Sequence, residues 1–196
     1  MQGRRVAALA CAAVLVSACA TLTSRTSVRE IGTAAAPARL TSVAVVAIDR
    51  DANVRRLWED EVGARIAARG VAATKGEGLL KGANIAADAV TFGGAEVLEA
   101  ARRSGAQAIL FVRPPGVVPP DPSEGAYRWL GARSGPDPRG DLDTTPASVT
   151  EVRLSDLNSG ATAWRAMVLV RFPRGNADAG EAADAIVSSL ARRGFL

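Results

Sequence analysis

The stretch on which the fold turns is LTSVAVVAID (40–49) followed by ANVRRLWEDEVGARIAARG (52–70). The first segment is a continuous run of β-branched and apolar residues, the pattern of a strand covered on both faces. The second carries Val54, Leu57, Trp58, Val62 and Ile66 at helical spacing, and Gly70 is placed to close the helix. Between them Asp51 is positioned as a helix N-cap. A buried strand feeding a helix at once is the opening half of a crossover to a parallel strand.

The pattern continues outward. VAAT (71–74) is a short candidate strand, GAEVLEAARRSGA (94–106) is a helix ending at Gly105, and QAILFVR (107–113) is a second buried strand. Residues 75–92 are glycine-rich and take no assignment. The stretch 147–172 is expected to form a β-hairpin, with Val149, Glu151, Arg153 and Ser155 on one face and Thr150, Val152, Leu154 and Asp156 on the other. Gly160 falls in its turn, DLNSG, where a left-handed conformation is needed. Residues 176–196 form a closing helix whose apolar stripe is Ala182, Ile186 and Leu190, flanked by Ala183 and Val187. The expected fold class is α/β. A mixed sheet of four or five strands, a parallel βαβαβ part followed by an antiparallel hairpin, has helices packed on it and a C-terminal helix.

Composition narrows the chemistry. Hydrophobic residues make up 48 % of the 196, but aromatics only 4 %, so the core is built from Val, Leu, Ile and Ala. The formal charge of +4 is scattered, and no basic stripe with stacking aromatics marks a nucleic-acid partner. The chain has no histidine, which removes the usual catalytic triads and the commonest metal ligand. TKGEGLLKG (74–82) lacks the spacing of a phosphate-binding loop, and FGG (92–94) reads as an entry turn to the following helix. Glu59-Asp60-Glu61 reads as an exposed helix face. No enzyme activity, cofactor or metal site is expected.

Two segments carry the functional expectations. The N-terminal one opens with a positive Met1–Arg5, an apolar Val6–Val16 and the small pair Ser17-Ala18. The apolar run is shorter than the roughly 20 residues of a membrane-spanning helix, so residues 1–18 read as a signal peptide. Val16-Ser17-Ala18-Cys19 resembles a bacterial lipobox. The resemblance implies cleavage before Cys19, a diacylglycerol thioether on its sulfur and an acyl chain on its new amino group. Two or more chains give stable anchoring where one does not. The other cysteine, Cys11, leaves with the leader, so no disulfide is expected. Ala20, where lipoproteins retained at the inner membrane carry aspartate, implies an outer-membrane, periplasm-facing location. Residues 19–39 are then read as the lipidated cysteine and a flexible tether reaching about 65 Å, the alternative being that part of it packs on the domain as an edge segment, and residues 40–196 as a single domain. The second segment, 114–146, is a proline-rich insertion too long for an ordinary connection. It carries Tyr127, Arg128 and Trp129, residue types that dominate protein-interface hot spots.

SGAQAILFVR (104–113), the hairpin residues Leu154, Asp156, Ser159, Gly160 and Trp164, and the closing LARRGFL (190–196) together resemble a loose group of bacterial outer-membrane and periplasmic lipoproteins. The group includes activator lipoproteins of penicillin-binding proteins and the domain shared with the curli-secretion lipoprotein. The resemblance spans roughly 40–196, implies the same α/β domain and brings no catalytic residues; segment 114–146 has no counterpart. The functional expectation is a membrane-anchored envelope lipoprotein acting as a non-enzymatic binding or accessory protein for another envelope component. Its partner contact is expected at Tyr127, Arg128 and Trp129. The alternative is a periplasmic lipoprotein that binds a small ligand or glycan at the carboxyl edge of the sheet, near Asp49 and Asp51.

Overall fold

The computed structural model describes residues 26–33, 39–87, 90–115, 147–171 and 174–196. The run 40–49 yields strand β2 (Ser42–Ala47), and its continuation yields helix α1 (Ala52–Ala67). Asp51 caps α1 by accepting the Asn53 N–H at 2.7 Å. The crossover returns as β3 (Ala72–Lys75), paired parallel to β2. Two helices follow, α2 (Gly76–Gly82) and α3 (Ala95–Arg103), and then β4 (Ala108–Arg113), parallel to β2 on its other side. The hairpin β5 (Ala147–Asp156) and β6 (Thr162–Arg171) continues the sheet antiparallel from β4, and helix α4 (Ala179–Arg192) closes the domain.

The mixed α/β class holds, with one strand more than expected. Residues 26–33, read from sequence as part of the flexible tether, form strand β1 (Thr26–Thr33), antiparallel to β6. Among the described residues the sheet therefore has six strands in the order β1-β6-β5-β4-β2-β3, and it takes in residues 26–33, which lie before residue 40. The reason is non-local. β6 offers an unpaired edge, and helix α4 offers partners for two polar side chains of β1 that face it. Thr26 Oγ1 donates to Glu181, and the Glu30 carboxylate accepts from Ser189 Oγ at 3.1 Å and from the Arg193 guanidinium. Residues 75–92, unassigned from sequence, contribute α2.

Helices α1 and α4 cover one face of the sheet. Val43, Val45, Leu110, Val112, Val152, Leu154, Trp164, Ala166 and Val168 point into that layer and meet Trp58, Val62 and Ile66 of α1 and Ile186 and Leu190 of α4. The predicted stripe of α4 is buried throughout, and in that of α1 Trp58, Val62 and Ile66 are buried while Val54 and Leu57 pack partly buried beside them. Trp164 is fully buried there and fills the core. On the other face α2 and α3 cover β2 and β4, where Ala44, Val46, Ile109 and Phe111 meet Leu79, Leu80, Val97 and Ala101. No helix among the described residues is long and apolar enough to cross a membrane.

Candidate functional site

Strands β2, β3, β4 and β6 end at one edge of the sheet, and β1 and β5 begin there. Ala47 lies level with Val112, Arg113 with Glu151 and Thr26 with Val170. This carboxyl edge gathers the exit of β2, the starts of α1 and α2, and the points where 114–146 leaves β4 and rejoins β5. β4 and β5, which flank that segment, are neighbours in the sheet, with Arg113 level with Glu151. Tyr127, Arg128 and Trp129 lie outside the described residues, as does Cys19.

Asp49 and Asp51 are at this edge, and both carboxylates serve the loop. Asp49 Oδ1 accepts the Asp51 N–H at 2.8 Å, and Asp51 is the cap of α1. The Arg55 guanidinium donates to the carbonyls of Asp49 and Arg50 at 2.8 and 3.1 Å and fixes the same turn. Among the described residues no group of three or more His, Cys, Asp or Glu side chains is gathered as a metal site would require. Beside the turn, Arg55, Arg56, Glu77, Leu80 and Lys81 line a cavity of ≈ 200 Å³. Arg56 there pairs with Glu77 at 3.1 Å. A wider groove of ≈ 510 Å³ runs along α3, lined by Asn84, Ile85, Glu96, Glu99 and Arg103.

Two charged groups at this edge were not legible as such. Glu59, expected on an exposed helix face, is only 1 % exposed. It sits where α1 crosses the end of β2 and the start of α2. Its Oε1 accepts the Ala47 N–H at 3.2 Å and its Oε2 the Glu77 N–H at 2.9 Å, so it satisfies a sheet donor and the first turn of α2 together. Burial raises its carboxyl above the usual range, against the two N–H bonds that favour the charged form. A side chain at Gly76 would place Cβ 2.5 Å from Glu59 Oε1 and 3.0 Å from the Val45 carbonyl oxygen. Glycine is therefore what lets α2 start against the sheet.

The second group lies on the face of β4, β5 and β6 opposite α1 and α4. The sequence alternation correctly puts Glu151 and Arg153 on one face but does not show what they meet. Glu151 is 3 % exposed and bridges two guanidinium groups, Arg113 Nη1 at 3.1 Å and Arg165 Nη2 at 2.6 Å. Arg113 is itself 4 % exposed. Phe92, from the turn before α3, lays its ring under both Arg113 and Arg153, 4.1 and 4.6 Å from the guanidinium carbons, and meets Phe111 edge-on at 5.9 Å. FGG (92–94) is thus an entry turn whose aromatic stacks on two cations. The cluster marks the point from which 114–146 departs. Chemically it can hold charge and shape in place; it offers no nucleophile and no acid–base pair.

No family model matches the chain. No curated protein matches it either. Several solved structures are similar in fold. A PelC dodecamer from Paraburkholderia phytofirmans matches at 18 % identity over 87 % of this chain and 99 % of that one, with a TM-score of 0.47. The lipoprotein GNA1162 from Neisseria meningitidis matches at 18 % over 80 % and 99 %, with a TM-score of 0.42. TolB from Acinetobacter baumannii matches at 12 % over 85 % and 31 %, with a TM-score of 0.40. None of these likenesses assigns an activity or a residue role here.

Proposed function

We propose that the protein is a lipid-anchored accessory protein of the bacterial envelope, held at the outer membrane through Cys19, that acts by binding another envelope component and not by catalysis. One observation carries the reading: the sequence Val16-Ser17-Ala18-Cys19 behind a short apolar leader. The arrangement of the carboxyl edge supports the non-enzymatic part. Asp49, Asp51 and Glu59 are each engaged in holding backbone N–H groups, and Glu151 in holding two arginines. The chain has no histidine to act beside them. The partner-contact role falls to Tyr127, Arg128 and Trp129, in the segment that leaves from this edge.

The small-ligand reading has less support. Ligand pockets usually enclose about 300–1,000 Å³ with a few convergent polar groups. The cavity beside Asp51's helix is ≈ 200 Å³, and neither Asp49 nor Asp51 lines it.

The test is in the native host. Cys19→Ser should abolish incorporation of labelled fatty acid and move the protein from the membrane to the soluble fraction; retention of the label overturns the anchor. In-cell crosslinking of the anchored protein should trap a discrete envelope partner. The yield should fall when Tyr127 and Trp129 are replaced by alanine, and an unchanged yield overturns the contact assignment.

A further inference from the structure

We infer that the carboxyl edge of the sheet faces the bilayer that holds the lipid anchor, within about 25 Å of it, and that the opposite edge points away. The inference rests on the lipidation of Cys19 proposed above, and it adds an orientation and a distance. β1 is antiparallel to β6, with Thr26 level with Val170 near the end of that strand. The first residue of β1 is therefore at the same edge as Asp49, Arg50, the end of β4 and the start of β5.

The chain available to separate Cys19 from that edge is short. Seven residue steps of about 3.3 Å reach ~23 Å at full extension. The longer reach of a tether running to residue 39 is not available, because β1 is bound on two sides. Its backbone pairs with β6 from Thr26 to Thr33, and Val28 packs on the core. Thr26 and Glu30 are held to α4 through Glu181, Ser189 and Arg193. The opposite edge, with the β5–β6 turn at Leu157–Ala161, is far from the anchor. From Ser148, level with Val170, to Asp156 is eight residues of strand, about 26 Å.

The experiment uses the full-length lipidated protein in vesicles of phosphatidylethanolamine with a minority of phosphatidylglycerol and a headgroup-labelled fluorescence acceptor. A donor is attached at Arg50→Cys on the carboxyl edge or at Asn158→Cys on the opposite turn, both exposed positions. Energy transfer to the membrane should be several-fold stronger from position 50 than from 158. A twenty-residue Gly/Ser insertion after Ala20 should bring the two close to equal. Equal transfer from both positions without the insertion, or stronger transfer from 158, overturns the orientation when fatty-acid labelling of Cys19 is complete. Absence of that labelling instead overturns the anchor, and the orientation with it. Unchanged mass and unfolding midpoint of the labelled variants separate either result from misfolding.

Discussion

Replacing Glu151 by alanine should cost the domain about 3–5 kcal/mol. The magnitude follows from what the substitution leaves behind. Arg113 and Glu151 are 4 % and 3 % exposed and 3.1 Å apart, so neither charge has water as an alternative partner. Removing one member of a buried pair costs roughly 3–5 kcal/mol, and Arg113 keeps only weaker contacts such as the Phe92 ring 4.1 Å away. Arg165 is 20 % exposed and can hydrate when Glu151 is gone, so its pair adds about 1 kcal/mol at most. With a urea m-value of about 2 kcal/mol/M, the midpoint should fall by ~1.5–2.5 M at unchanged m. Arg165→Ala alone should cost about 1 kcal/mol. Replacing the triad together, Arg113→Met with Glu151→Leu and Arg165→Leu, should recover most of the loss, because no uncompensated charge then remains. A cost below about 1 kcal/mol for Glu151→Ala, or a triple variant no better than the single one, refutes the claim that Arg113 is stabilised by this carboxylate.

Gly76→Ala should destabilise by roughly 1–3 kcal/mol. Glu59→Gln should not rescue it, because the Val45 carbonyl and the Val46 Cα stand 3.0 Å from the new Cβ; chemical denaturation of the single and double variants reads both. Glu59 has a folded-state carboxyl raised by burial, so its contribution is fully present below the unfolded value of 4.5 and is lost as pH rises through the folded one. Glu59→Gln should remove that decline from a pH series of unfolding midpoints. Glu30 has the opposite sign. Its carboxyl is held low chiefly by the Arg193 hydrogen bond, so the β1–α4 contact is present above 4.5 and weakens as pH falls through the lowered value. Hydrogen exchange of the β1 amides should accelerate in acid, and Glu30→Gln should make it fast already at neutral pH. Deleting residues 26–33 should lead to association visible in light scattering. A truncated chain that stays monomeric would count against β1 as an edge cover.

The elements legible in the sequence are those whose signal is local or periodic. β2, α1, β4 and α4 follow from apolar runs and helical stripes. Asp51 announces its cap, and Asp156 announces the hairpin turn, where it accepts the Asn158 N–H at 2.9 Å and the Ser159 hydroxyl at 2.8 Å. Gly160 completes that turn at φ +72°. What escaped has its cause elsewhere in the chain. GEGLLKG carries two of its three glycines at its ends, yet its first turn is satisfied by Glu59, eighteen residues back. Glu59 in turn looks solvated among Asp60 and Glu61 until α2 is laid across it. The face alternation of β5 was readable, but the meeting of Glu151 with Arg113 depends on the register of β5 against β4, which no local pattern sets.

β1 shows most clearly how a polar segment becomes structure. TSVREIGT has little to bury, and only Ile31 among its apolar residues stays exposed, at 44 %. Its alternation is nonetheless consistent: Thr26, Val28 and Glu30 face α4 and the core, while Ser27 and Arg29 face out. Without it the edge of the sheet would be TAWRAMVLVR, a long, apolar strand of the kind that pairs with other chains. β1 covers that edge with polar and charged residues, and the irregularity between Glu30 and Gly32 interrupts its own pairing surface. The same strand is the described element nearest in sequence to Cys19. A strand that must stay paired to keep β6 covered cannot also pay out as slack, so the edge-protecting role and a short anchor require the same ladder. With Cys19 lipidated as proposed, loosening β1 should therefore lengthen the reach from the membrane and expose β6 together, which would couple the position of the domain to its solubility.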